Sequence, residues 1–262
     1  LTYKVIRQAW GAMSHFGIPF VWHTVWDPLK DHFGAGQFVV GTLVTSLVAV
    51  AIAAPLSVAI ALFLTELCPR FLRGPIGSLV ELLASVPSVV LGLWGILVMG
   101  PFVANHLEPW LHNTLGFIPL FSGPTSIVGV LPAILILTIM ILPIVSSITR
   151  ELFLGVPSEL KEGALALGTT RWEMVRGVVF PYARGGIAAA MILGLGRAVG
   201  EAIAVTQVIG GGVFIHWNLF DSGDTLASKI AASYQGASTN LESASLVYLA
   251  LILLVFSLIA NL

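Results

Sequence analysis

Arg197 and Glu201 lie four residues apart inside the apolar run 185–209, GGIAAAMILGLGRAVGEAIAVTQVI. An ionised side chain at the centre of a bilayer costs a few kcal/mol, so such residues face protein or water and pair where they can. A spacing of four places both on one helical face. A guanidinium offers a planar fork of donors that fits the oxygens of phosphate or sulfate. The chemistry open to this pair is therefore reversible recognition of an oxyanion, with Glu201 holding Arg197 in place and keeping it from trapping the anion. The same spacing also suits a structural pair that fixes helix packing. Gly194 shares that face, and Gly196-x-x-x-Gly200 permits close helix approach. Glu81, five positions into the apolar run 76–99, is a further candidate for the same path. Other chemistry lacks its parts. His15, His23, His32, His106, His112 and His216 all fall outside the central spans, so no nucleophile–base pair for an intramembrane enzyme is evident. Cys68 is the single cysteine, and there is neither an H-E-x-x-H nor a G-x-x-x-x-G-K-[ST] sequence. No catalytic residue, metal or cofactor is expected on this chain, and any ATP that drives it would be bound by a separate subunit.

The second candidate is the charged island 159–181, ELKEGALALGTTRWEMVRGVVFP, between two apolar runs. Ser158 is read as the N-cap of a helix, with Glu159 and Glu162 near the positive end of its dipole. Leu160, Ala164 and Leu167 recur at helical spacing and give it one apolar side. Gly168 is placed to stop that helix in a left-handed conformation. Thr170 and Glu173 have the spacing of a capping box, so a second helix begins at once and is expected to end before Pro181. This helix–turn–helix projects into water.

Glu162-Gly163-Ala164, Gly168 and Val178-Val179-Phe180-Pro181 resemble the EAA loop of ABC-transporter permeases, whose pattern is EAA, three residues, Gly, nine residues, I-x-L-P. Gly163 stands in place of an alanine, at a cost of about 1 kcal/mol in helix propensity. Phe38-Val39-Val40-Gly41-Thr42-Leu43, the run Glu81 to Val90, Gly92-Leu93-Trp94-Gly95 and Gly194 to Glu201 resemble the PstC-type permeases of phosphate importers, from about Trp26 to the end of the chain. Sulfate and molybdate permeases are near relatives and remain the alternative; an ATP-independent secondary anion transporter would leave the loop unexplained. The resemblance implies an all-α, polytopic membrane protein with the MetI-like importer fold. It implies that Glu162, Ala164, Gly168 and Pro181 couple to a PstB-like ATPase dimer. It further implies a PstA-like permease partner, a PstS-like extracytoplasmic binding protein, and alternating access driven by ATP on the ATPase.

Composition agrees with a membrane protein. Of 262 residues, 57% are hydrophobic and 10% charged, against about 25% charged in soluble domains. A net charge of −1 gives no basic surface for nucleic acid. Spans are expected at about 39–64, 76–99, 127–148, 185–209 and 244–262, with a further span expected before residue 1. Residues 1–38, with Trp10, Trp22 and Trp26, read as an external segment with a short interfacial helix, and 100–126 as a loop with interfacial pieces. Pro55, Pro87, Pro132 and Pro143 read as packing kinks. Asp221 and Asp224 read as solvated loop acids, and His216 beside Trp217 as interfacial. The loops 65–75 and 149–184 carry Arg70, Arg73, Arg150, Lys161, Arg171, Arg176 and Arg184, whereas the other side carries Lys4, Arg7, Lys30 and Lys229. The positive-inside rule then places loop 149–184 in the cytoplasm and the protein in the cytoplasmic (inner) membrane.

Overall fold

The computed structural model describes residues 2–212 and 218–261. His216 and Trp217, and the side chain of Arg70 counted above, lie outside the described residues. The described residues are helical, with isolated bridges at Asp27–His32 and Gly210–Gly223 and no strand. In chain order the helices are α1 (Thr2–Phe16), α2 (Gly36–Leu67), α3 (Arg70–Ser85), α4 (Ser88–Leu115) and α5 (Val130–Leu154). They continue with α6 (Ser158–Ala166), α7 (Arg171–Gly200), α8 (Ile203–Val208), α9 (Leu226–Ser233) and α10 (Asn240–Asn261). Five described helices, α2, α4, α5, α7 and α10, are long and apolar enough to cross a membrane, so the all-α, polytopic fold class holds.

Proline decides where the observed spans differ from the expected ones. The expected span 76–99 is two helices, because Val86 and Pro87 are extended (ψ 127° and 137°). Steric conflict with the following proline ring disfavours the helical region for Val86. Conversely, α4 continues through Pro101 and Pro109 to Leu115, in place of the expected loop. There the helix widens into π turns at Gly95–Met99 and Val103–Leu107. Similar wide turns occupy Phe63–Leu67 at the end of α2 and Val175–Val179 within α7. Each of the four ends two residues before a proline, namely Pro69, Pro101, Pro109 and Pro181. A proline ring collides with the carbonyl four residues back. A turn with one extra residue moves that carbonyl aside and bonds the preceding N–H to a carbonyl five residues back. The expected end of a helix before Pro181 is thereby corrected, since α7 runs through it.

The chain divides into two compact units. One comprises Leu1–Ala49, Pro87–Leu137 and Gly196–Leu262. In it α1 packs along α10, with Gly11 against Ala244 and Phe20 stacked on Tyr248 at 4.5 Å. Trp26 packs edge-on against Phe33 and Phe38, and Lys229 Nζ lies 5.4 Å from the Trp26 ring centre. Gly92 and Gly95 let α8 approach α4, since side chains there would meet Ala204 Cα and Val208 at 2.9 and 2.8 Å. The other unit comprises Val50–Val86 and Thr138–Leu195. Its core gathers Phe153, Val156, Met174, Val175, Val179, Ala183 and Ile187.

Asp224 is a buried residue rather than a solvated acid. Its carboxylate accepts from Ser228 Oγ and from Thr225 N at 3.1 Å, while Leu226 N donates to Thr42 Oγ1 at 2.9 Å. Gly41 is required beside it, because a Cβ there would lie 2.1 Å from the Asp224 carbonyl oxygen. Burial raises the Asp224 carboxyl above its ordinary range, against the lowering effects of Ser228, Lys229 and Thr225. A raised folded value means that the folded state holds this proton where the unfolded chain has released it. The stability contributed by protonation is therefore fully present below the unfolded value of about 3.9 and is lost as pH rises through the folded value. The melting temperature of the wild type relative to Asp224→Asn is expected to fall as pH rises across that window. A difference independent of pH would contradict this reading.

Candidate functional site

The polar island folds as a short helix, a left-handed turn and the start of a long helix. α6 begins after Pro157, and Ser158 supplies no side-chain cap, which corrects its expected role. Gly168 adopts φ +84°, as its position predicted; a side chain there would be strained. Thr169 Oγ1 donates to the Ala164 carbonyl at 2.8 Å and satisfies one of the orphan groups at the end of α6. The capping box is formed. Glu173 Oε2 accepts from Thr170 N at 2.8 Å, and Glu173 N donates to Thr170 Oγ1 at 3.3 Å. Such a cap contributes about 1 kcal/mol.

The outward face of the island is not the one its periodicity marked. Lys161 and Ala164, three residues apart, turn inward, and Ala164 packs against the core around Phe153 and Val175. Leu160 and Leu167 are consequently exposed, at 48% and 87%, along with Leu165 and Trp172. Glu159 and Glu162 are exposed on the same short helix. Gly163 has open space beside it, so packing does not require glycine there. Pro181 lies past the wide turn, within α7. Exposed leucines and a tryptophan beside the exposed acids Glu159 and Glu162 give this loop the composition of a protein-docking surface.

An ion pair missed by sequence reading fixes this loop. Lys161 Nζ lies 2.7 Å from Glu66 Oε1 and donates to the Phe153 carbonyl at 3.2 Å. Both side chains are only 20% exposed. Glu66 lies in the wide turn that ends α2. A second pair joins Glu81 on α3 to Arg150 on α5 at 3.3 Å. Gly77, one turn before Glu81, makes room for it, since a Cβ there would be 3.0 Å from the Arg150 guanidinium. Glu81 thus lies on α3, outside the five long apolar helices, and its side chain is 62% exposed.

Arg197 is in the last turn of α7, and Glu201 follows where the helix stops. The expected continuous span 185–209 is therefore interrupted at Glu201–Ala202 and resumes as α8. The two side chains are 3.7 Å apart; Arg197 is 42% exposed and Glu201 8%. Glu201 Oε1 also accepts from Ala204 N at 3.4 Å, so the acid both holds the arginine and takes up an amide of the first turn of α8 that has no partner within the helix. Close packing occurs at Gly194, where a Cβ would meet Ile141 and Val145 at 2.9 Å, whereas Gly200 has open space and is not a packing contact. Sequence reading also missed Glu108. It is fully buried, accepts from Ser126 N at 2.8 Å, and leaves Oε1 without a partner. Its signal was an acid inside a helix that proline had disguised as a loop.

Removing one partner of the Glu66–Lys161 pair leaves a partly buried charge, at a cost of about 1–3 kcal/mol. Lys161→Gln is expected to increase proteolytic cleavage within 154–170 several-fold, and Glu66→Gln in that background is expected to add little. Independent, additive effects would show that the two residues do not act as a pair.

The model of the binding-protein-dependent transport system inner membrane component family matches residues 53–262. The PstC phosphate transport system permease of Mesorhizobium japonicum is 46% identical over 258 residues, covering 97% of this chain and 79% of that protein. PstC of Xylella fastidiosa is 42% identical over 253 residues, covering 94% of this chain and 78% of the relative. PstC 1 of Mycobacterium tuberculosis is 38% identical over 260 residues, covering 96% and 77%. Among solved structures, a bacterial alginate ABC transporter in complex with an alginate-bound periplasmic protein superimposes with a TM-score of 0.63 at 18% identity, covering 99% of this chain and 86% of that one. The inward-facing MetNI methionine ABC transporter gives 0.55 at 20% identity, covering 93% and 95%. With its five long apolar helices and its exposed helix–turn–helix, the chain belongs to the binding-protein-dependent transport system inner membrane component family.

Proposed function

We propose that this chain is the PstC-type permease subunit of an ATP-driven phosphate importer. The observation that carries the reading is the coexistence of two features in one chain otherwise built of apolar helices. One is a set of exposed apolar side chains on a capped helix–turn–helix loop. The other is a paired, half-exposed arginine where a long helix is interrupted. The PstC relatives, at 38–46% identity, support phosphate over sulfate or molybdate. In this reading the loop lies in the cytoplasm and couples to a PstB-like ATPase dimer through exposed Glu162, Leu160, Leu165, Leu167 and Trp172, with Ala164, Gly168 and Pro181 fixing its shape. A PstA-like subunit completes the pathway, and a PstS-like protein delivers phosphate from outside. Arg197 offers its donors to the passing anion while Glu201 limits the strength of that hold. Glu81 acts through Arg150, tying α3 to α5. ATP changes the access of the pathway only to the extent that it prefers one conformation.

Uptake of labelled phosphate tests this in cells lacking their own permease but supplied with the full-length gene, its ATPase, its partner permease and its binding protein. Uptake should require ATP, ignore excess sulfate, and be abolished by Gly168→Val while the variant still inserts. Competition by sulfate would move the protein to the sister family, and normal uptake by Gly168→Val would remove the coupling role of the loop.

A further inference from the structure

We propose that Pro181 acts as a register-setting residue: it holds the wide turn Val175–Val179 and so fixes the rotation of the first turn of α7 about the rest of that helix. The proposal deepens the functional reading above, because it rests on residues 171–174 belonging to the docking loop. Its starting point is the recurrence of one arrangement at four places in the chain. The wide turns Phe63–Leu67, Gly95–Met99, Val103–Leu107 and Val175–Val179 each end two residues before a proline. In each, the carbonyl that the proline ring would strike belongs to the middle residue of the turn: Thr65, Leu97, Asn105 and Gly177 respectively. At Pro181 the relief is direct, with Phe180 N bonded to the Val175 carbonyl, five residues back.

Proline alone does not produce the turn, since Pro55 and Pro143 lie in ordinary α-helix. At 175–179 packing selects it as well. Up to Ile187 the buried positions of α7 are Met174, Val175, Val179, Ala183 and Ile187, all of them in one core cluster. From Val175 onward the steps are four residues, and Met174, five residues before Val179, is buried beside Val175 because the wide turn brings it onto the same face. In a uniform α-helix one surplus residue turns everything before it by about 100°. Met174, 4% exposed, would leave the core, and exposed Arg171 and Trp172 would be re-aimed. Gly177 is exposed, with open space where a side chain would be, so the surplus residue can be removed there without disturbing a contact.

The test uses the full-length chain in membranes together with its ATPase, with Cys68 and every other cysteine of both chains replaced and Met174→Cys introduced so that maleimide labelling follows a single thiol. In that background the introduced thiol should be protected. Pro181→Ala should relax the wide turn, expose the thiol, raise labelling several-fold and uncouple uptake. Deleting Gly177 in addition to Pro181→Ala should restore both protection and uptake, because an ordinary turn with one residue fewer has the original register. Protection unchanged in Pro181→Ala would overturn the proposal. So would a deletion that fails to rescue, including a double variant that does not accumulate. Labelling does not depend on the solute carried. A failure of phosphate uptake in the parent chain would therefore count against the functional reading, while the labelling pattern would still decide the role of Pro181.

Discussion

Hydrocarbon offers no hydrogen-bond partner to a backbone amide or carbonyl, and every departure from regular helix within a membrane span has to meet that constraint. The departures are few and each has a local remedy. At Glu201–Ala202 the helix stops, and the Glu201 carboxylate accepts from an amide of the helix that follows. At three of the four wide turns the chain stays helical through a proline by passing the hydrogen bond to a carbonyl one residue further back. At Pro87 it does not, and a new helix begins. The same constraint makes the charged groups informative. Two ionised groups retained at such interruptions are held by partners: Glu201 by Arg197 where α7 stops, and Glu66, in the wide turn that ends α2, by Lys161.

The local chemistry of the loop was legible because it depends on neighbours in sequence. Gly168 had to be left-handed to end one helix and admit another, and Thr170 and Glu173 are three residues apart, the spacing of a reciprocal cap. Span limits were less legible, since a proline is compatible with two outcomes. Pro87 ended a helix, whereas Pro101, Pro109 and Pro181 were absorbed, and a one-dimensional reading treats them alike. The ion pairs that bind the loop and α3 were not legible at all. Lys161 and Glu66 are 95 residues apart, and Arg150 and Glu81 are 69 apart, so only tertiary packing brings them together. Asp224 failed for a related reason: its burial depends on Thr42 and Gly41, far away in the chain.

Periodicity marked the apolar residues of the loop correctly as a set but assigned them the wrong face. Leu160, Ala164 and Leu167 cannot all point inward once Lys161 is committed to Glu66. The ion pair turns Ala164 to the core and leaves Leu160 and Leu167 exposed. An apolar surface that the chain leaves uncovered on its most polar segment has a physical cost in water, and docking on an ATPase would remove it.

If the loop docks and Arg197 passes the anion, the two roles should be separable by experiment. Proteoliposomes holding the assembled transporter and its loaded binding protein allow ATP hydrolysis and labelled phosphate transport to be followed together, for wild type and Arg197→Gln. The variant is expected to keep the ATPase at full stoichiometry and to lose phosphate transport. Undiminished transport by Arg197→Gln would contradict the assignment and reduce the arginine to a packing residue.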